Sequence, residues 1–287
     1  MAAGLLDVTL PPSGRVADAA GGWTTPARPG AIHPLVDPSG SLDRFFETLR
    51  RTEMREPDAV THILHYGDSP TTADLITADV RDLLQKQFGD AGHGFCLIGQ
   101  PWAWYMHRGV GISGSGWRIS PATQSALRDG MYGLGGASFE GVDGDASHLA
   151  LTRDGHTGLE VAFLRQPAGG SFSVIAGDAT LAAVDTAGDV AGPGFAPVGL
   201  PSGARRFSIR VDRGPVRLFG VHLTRPAPGV IYSSLGLNGA YVSVLARVFR
   251  EKHWREQLRH YRPALVIVNY GTNESVYENF VDFAYEK

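Results

Sequence analysis

The chain has 287 residues, enough for two domains of average size, with a formal net charge of −3, 19% charged residues and 43% hydrophobic ones. That balance disfavours both a disordered chain and a polyanion-binding surface, so no nucleic-acid partner is expected. The single cysteine, Cys96, has no partner for an intrachain disulfide and reads as a small buried hydrophobe. No apolar run is long enough for a membrane span, and Met1 to Pro34 show no signal-peptide pattern.

Residues 1–40, rich in Pro, Gly and Ala, read as a flexible lead-in. A short helix is expected over Leu42 to Met54, with Phe45, Phe46 and Leu49 on one side. Val60 to Tyr66 is a mostly apolar, β-branched run ending at Gly67, which suits a buried parallel strand. From Thr72 to Phe88, Ala73, Ile76, Val80, Leu83 and Leu84 recur at helical spacing, with Thr71 and Asp74 as a capping-box-like start and Gly89 as the stop.

Between about Gly116 and Pro228 the period changes to two. Leu159, Val161 and Phe163 alternate, as do Phe172 and Val174, then Phe207, Ile209 and Val211, while Asp154-Gly155 and Arg213-Gly214 suggest hairpin turns. An inserted antiparallel β-sandwich or jelly roll is expected there, with part of Ala176 to Gly203 as a long loop. Helical periodicity returns in a long amphipathic helix carrying Tyr241, Leu245, Val248, Phe249 and Leu258, followed by a strand over Ala264 to Tyr270. Alternation of β and α at the two ends implies a parallel sheet with helices on both faces. The expected organisation is a lead-in (1–40), a first α/β part (41–115), a β insert (116–228) and a second α/β part (229–287).

Three short stretches carry chemistry, and each follows a predicted strand. Gly67-Asp68-Ser69 places a serine hydroxyl where a strand turns into a helix. Leu237-Asn238-Gly239, with Gly236 as an alternative, lets the backbone come close to a ligand and donate an N–H. Gly271-Thr272-Asn273-Glu274 offers a neutral amide to developing negative charge. Each alone reads as a turn or a cap; in this order, at the carboxyl ends of parallel strands, they would converge on one crevice.

Together they resemble the blocks of the SGNH (GDSL-type) ester hydrolase superfamily, with Glu274 a departure from the family's Gly-x-Asn-Asp. The resemblance implies a flavodoxin-like three-layer α/β fold with a parallel sheet. It also implies Ser69 as nucleophile, Asp68 as support for the turn, and an oxyanion hole from the Ser69 and Gly239 N–H groups and the Asn273 side chain. The arrangement with a β insert further resembles extracytoplasmic bacterial relatives of peptidoglycan O-acetylesterases, whose insert looks like a carbohydrate-binding module.

The resemblance thus points to deacylation, most simply deacetylation, of a small-molecule or polysaccharide ester, in an extracytoplasmic setting and without a cofactor. Acyl transfer at the same residues and a non-catalytic glycan-binding or assembly role are the alternatives. Trp102, Trp104, Tyr105 and Trp117 serve either as sugar-stacking surfaces or as packing at the junction.

The family's catalytic Asp-x-x-His block has no counterpart after Asn273. Fourteen residues follow it, none of them histidine, so the expectation is a C-terminally incomplete hydrolase that is nearly inactive by itself. The Asp-x-x-His at Asp145 to His148 lies in the β-rich stretch, before the second block, and reads as coincidence. His62, His65 and His222 read as structural histidines on strands, and His93 as a loop residue bordering the crevice. No metal-ligand spacing joins them.

Overall fold

The computed structural model describes residues 35–124 and 127–276. Most of the expected lead-in (1–40), and residues 277–287, therefore lie outside the described residues. Contacts divide the chain after Asp43. Before that point, the Asp37 carboxylate closes a turn by accepting the Ser41 and Leu42 N–H groups at 3.0 and 2.8 Å.

The elements, in order, are α1 (Asp43–Glu53), β1 (Val60–Gly67), α2 (Ser69–Thr72), α3 (Leu75–Phe88), β2 (Gly94–Cys96), β3 (Val110–Ser115), β4 (Arg118–Pro121) and β5 (Ala137–Gly141). They continue with β6 (Ala146–Leu151), β7 (Gly158–Arg165), β8 (Ser171–Ala176), β9 (Ala179–Asp185), β10 (Gly192–Gly199), β11 (Arg206–Arg213), β12 (Val216–Thr224) and β13 (Gly229–Gly236). α4 (Ser243–Arg247), α5 (Glu251–Tyr261), β14 (Leu265–Asn269) and a 3-10 turn over Glu274–Val276 complete them.

Three sheets result. The parallel sheet has three strands in the order β13-β1-β14; the larger two are antiparallel, β10-β7-β12-β5-β4 with β2 also paired to β12, and β3-β6-β11-β8-β9. The expected three-layer flavodoxin-like α/β fold is thus overturned: the described chain is mostly antiparallel β, closer to a β-sandwich. The physical reason is the weight of the period-two middle stretch. Antiparallel strands, most of them from that stretch, make up eleven of the fourteen described, whereas the parallel part contributes three strands at the two ends of the chain.

The antiparallel sheets bury one face each against the other. Phe163 of β7 meets Phe172 of β8 edge to face at 5.7 Å, and Leu159, Val161, Val174, Phe207, Ile209 and Val211 are buried around them. Each such side chain contributes roughly 1.5–3 kcal/mol when removed from water. A second, smaller core of Ile63, Phe88, Val230 and Tyr232 lies under Phe45 and Leu49 of α1 and Leu84 of α3. β2 extends the six-stranded sheet by pairing with β12, so residues before 116 take part in it.

Several local expectations change. The helix expected over Thr72 to Phe88 is broken at Asp74, which is left-handed (φ 52°) and starts α3. Its inward face is mixed: Thr77 and Arg81 are buried with Ala78 and Phe88, Val80 and Leu84 pack on the smaller core, and Ile76 and Leu83 are exposed. The reason is the Asp74 carboxylate, which turns inward, accepts from Thr77 Oγ1 at 2.6 Å and pairs with Arg81 at 2.6 Å. The long helix near the C-terminus is split into α4 and α5. Asp154-Gly155 and Arg213-Gly214 join strands of different sheets, so neither closes a hairpin; a turn's residues fix its local geometry but not the sheet its flanks enter. Ala176 to Gly203 holds β9 and β10 in place of the long loop.

Candidate active site

β1 ends at Gly67, which pairs with Gly236 of β13 on one side and Asn269 of β14 on the other. A Cβ on Gly67 would run into Thr71 Oγ1 and sit 3.1 Å from Asn269 O, so glycine is what lets α2 fold back over the strand end. Asp68 is 3% exposed, and its carbonyl accepts the Thr71 and Thr72 N–H groups at 3.1 and 3.3 Å. Ser69, half-buried, is the first residue of α2, followed by Pro70, whose missing N–H costs nothing there.

The other two stretches dock onto this turn. Thr272 N–H donates to Asp68 Oδ2 at 3.3 Å, and Leu237 N–H donates to Gly67 O at 2.8 Å. Asn273 Nδ2 donates to Ala240 O at 2.8 Å, which uses one of its two amide hydrogens. Glu274, at the position where the blocks depart from the family, is 3% exposed and accepts Val242 N–H at 2.7 Å. The loops bearing Ser69, Gly239 and Asn273 therefore meet along one rim, at the carboxyl ends of the parallel strands.

The two candidate glycines separate. A Cβ on Gly236 would collide with the backbone of Thr71 and Thr72, so Gly236 is a spacer beneath α2. Gly239 has φ +71°, is exposed, and has no atom within 4 Å of where a Cβ would stand, so it faces open space. Beneath the rim, the Tyr270 hydroxyl is pushed far up in pKa by burial, then by Tyr66, Asp68 and Glu274, and stays a neutral phenol.

Among the described residues no hydrogen bond joins a histidine to Ser69. His65, on β1, is buried with Nδ1 2.6 Å from the Tyr232 hydroxyl. His148 lies on β6 with Nδ1 2.7 Å from Ser208 Oγ, and Asp145 closes the preceding turn by accepting Val142 N–H at 2.7 Å. That pair belongs to the five-stranded sheet, whereas Ser69 follows a strand of the parallel sheet.

Sequence reasoning missed two polar clusters. Asp74 and Arg81 form an ion pair with side chains 0% and 2% exposed, and Asp74 also accepts Arg108 N–H at 2.8 Å. The available cue was an Asp and an Arg seven residues apart, two helical turns, which stack on one side of a helix. His93, expected as a loop residue, contacts His107 and His156, with ring centroids 5.2 and 5.1 Å away; all three have pKa values lowered chiefly by burial. Spacing along the chain gave no hint, since the three come from separate loops. Among the described residues no group of His, Cys, Asp and Glu is arranged to hold a metal ion, and no helix is long and apolar enough to cross a membrane.

Of the candidate aromatics, Trp102 and Tyr105 are buried; Trp102 Nε1 donates to Thr123 Oγ1 at 3.2 Å and Tyr105 Oη accepts Leu97 N–H at 2.8 Å. Trp117 packs on Phe139 and Gly141, and Trp104 is 65% exposed.

No family profile and no curated protein sequence matches the chain. Among solved structures it is similar to one described as "Peptidoglycan O-acetylesterase in action", with a TM-score of 0.66 and 22% identity over 82% of this chain and 63% of that one. The chain thus spans less than two thirds of that protein. A carbohydrate binding module from the Cellvibrio mixtus lichenase 5A aligns over 40% of this chain and 91% of its own, at 16% identity and a TM-score of only 0.29. What the comparisons show is a fold like that of an O-acetylesterase.

Proposed function

We propose that the chain carries the nucleophile and oxyanion hole of a serine ester hydrolase that removes acyl groups, acetyl above all, from a carbohydrate. What supports this most is the mutual docking of the three loops: Thr272 on Asp68, Asn273 on Ala240, and Gly67 between Gly236 and Asn269. Likeness in fold to a peptidoglycan O-acetylesterase supports the substrate class and an extracytoplasmic glycan as its source.

In this reading Ser69 Oγ attacks the acyl carbonyl while a base takes the hydroxyl proton. The resulting oxyanion is held by the Ser69 and Gly239 N–H groups and by the second hydrogen of Asn273 Nδ2, each donor contributing about 3–4 kcal/mol to barrier reduction. Collapse breaks the bond to the sugar oxygen, which leaves with the proton; water then releases the acid from Ser69 by the reverse steps. Asp68 acts as a strut, since its carboxylate holds Thr272 and so orients Asn273.

The test supplies the base from outside. Hydrolysis of an aryl acetate by the chain with added imidazole is expected to exceed that of Ser69→Ala with the same imidazole, and a fluorophosphonate is expected to label Ser69. Equal rates in the two proteins, with no label on Ser69, would remove Ser69 as nucleophile.

A further inference from the structure

A second cavity lies at the other end of the parallel sheet. It has a volume of about 590 Å³, within the range of small-molecule sites. His62 lines it near the start of β1, whereas Ser69 follows the end of that strand, roughly 20 Å away at about 3.3 Å per residue. The cavity is therefore separate from the rim that carries Ser69.

Three of its polar groups, Glu160, His222 and His260, come from three elements, and Thr157, Thr224, Tyr261 and Arg262 line it too. Glu160 of β7 and His222 of β12 are cross-strand partners, so their side chains share one face. His260, at the end of α5, places Nε2 3.0 Å from both Glu160 oxygens and is held there by stacking on Phe195, with centroids 3.6 Å apart and planes 4° apart. His222 is 8% exposed, and its Nε2 is buried without a hydrogen-bond partner. A buried ring nitrogen left unpaired is costly, which points to a group from outside.

His62 plays a different part. Its Nδ1 is 3.2 Å from Tyr261 O, which only accepts, so Nδ1 carries the hydrogen; Nε2 then accepts from Ser233 Oγ at 3.1 Å. Both nitrogens are spent, and His62 is a neutral wall. Leu159, Val198 and Ile231 are among its apolar lining residues.

The lining discriminates among ligands. No metal-holding arrangement exists among the described residues, which removes a metal cation as occupant. Arg262 also lines the cavity, but a small anion would face the Glu160 carboxylate as well. A ring with an apolar face and several hydroxyls fits this lining: hydroxyl donors for the Glu160 lone pairs that His260 and the Tyr261 hydroxyl leave open, one hydroxyl for His222 Nε2, and aliphatic walls for its C–H face.

We propose that this cavity binds a neutral saccharide ring through hydroxyls on Glu160 and His222. The proposal does not rest on the Ser69 chemistry.

Saturation-transfer NMR with free glucose and with free N-acetylglucosamine, each added alone to the intact chain, tests it. Transfer to at least one sugar is expected. Gly199→Trp should abolish it: Gly199 lines the cavity and a Cβ there meets no atom within 4 Å, so a large side chain can be placed at the cavity wall without a backbone clash. Glu160→Gln should weaken binding roughly tenfold or more, as loss of a charge-assisted hydrogen bond does. Ser69→Trp, which blocks the other site, should leave it unchanged. No transfer to either sugar in the unaltered chain would overturn the proposal, as would transfer that survives Gly199→Trp or is lost in Ser69→Trp. Aryl acetate hydrolysis with imidazole involves no sugar, so the two readings fail separately.

Discussion

Acidification is the sharpest perturbation available, because this fold buries histidines that must stay neutral. His62 and His107, 6% and 4% exposed, are each pushed down from 6.5 to about 4, burial being the main cause. For His62 the Tyr261 carbonyl, which accepts from Nδ1 at 3.2 Å, favours the cation and offsets only part of the burial. For His107 the charges face it from both sides, Asp74 favouring its cation and Arg81 opposing it.

A group whose folded pKa lies below its unfolded one binds its proton first in the unfolded chain. Its stabilising effect is complete above 6.5 and is lost as the pH falls from there to about 4. At pH about 5 each of the two histidines then costs about 2 kcal/mol, since the unfolded form is some thirtyfold favoured by protonation and the folded form hardly at all. Two such groups remove about 4 kcal/mol, close to the whole stability of a marginal domain.

Urea unfolding followed by tryptophan fluorescence, from about pH 7 to about pH 5, should show the midpoint falling steeply. The double variant His62→Gln, His107→Gln should flatten that fall by about two protons' worth of slope. A midpoint that holds or rises on acidification, or a double variant with unaltered slope, would refute burial as the main cause that keeps these two rings neutral.

Other substitutions test the packing around α3, α2 and β2. Arg81→Met leaves the Asp74 carboxylate unpaired beneath α3 and should lower unfolding free energy by about 3–5 kcal/mol in urea titrations. Gly236→Ala drives a Cβ into the α2 backbone and should cost about 1–3 kcal/mol, while Gly239→Ala meets no atom and should cost only about 1 kcal/mol for its left-handed φ; the same titrations rank the two. Cys96 is 1% exposed and its thiol is pushed far up in pKa by burial, so iodoacetamide should leave it unmodified in the native protein and alkylate it in denaturant, as mass spectrometry would show.

Much of the candidate site was legible in the chain because each block follows a strand it helps to terminate. Gly67, Gly239 and Asn273 stand where a strand ends and a turn must follow, and β1 and β14 fall close to the expected runs. The choice between Gly236 and Gly239 was not legible, since it depends on α2 lying directly over Gly236. Nor was the inward turn of Asp74, which brings Thr77 and Arg81 inside where Ile76 and Leu83 were expected.

The amino-acid order by itself determined some local units, such as the runs of β1, β7, β8, β11 and β14 and the change of period from helical to two, because these depend on neighbours a few positions apart. The tertiary structure decided which strands pair, and with that the balance between parallel and antiparallel sheet, because pairing joins residues such as Cys96 and Val221 that are far apart in the chain. It also brought His93, His107 and His156 together, and Glu160 beside His222 and His260, since burial and charge at a point in space come from whichever segments the fold delivers there.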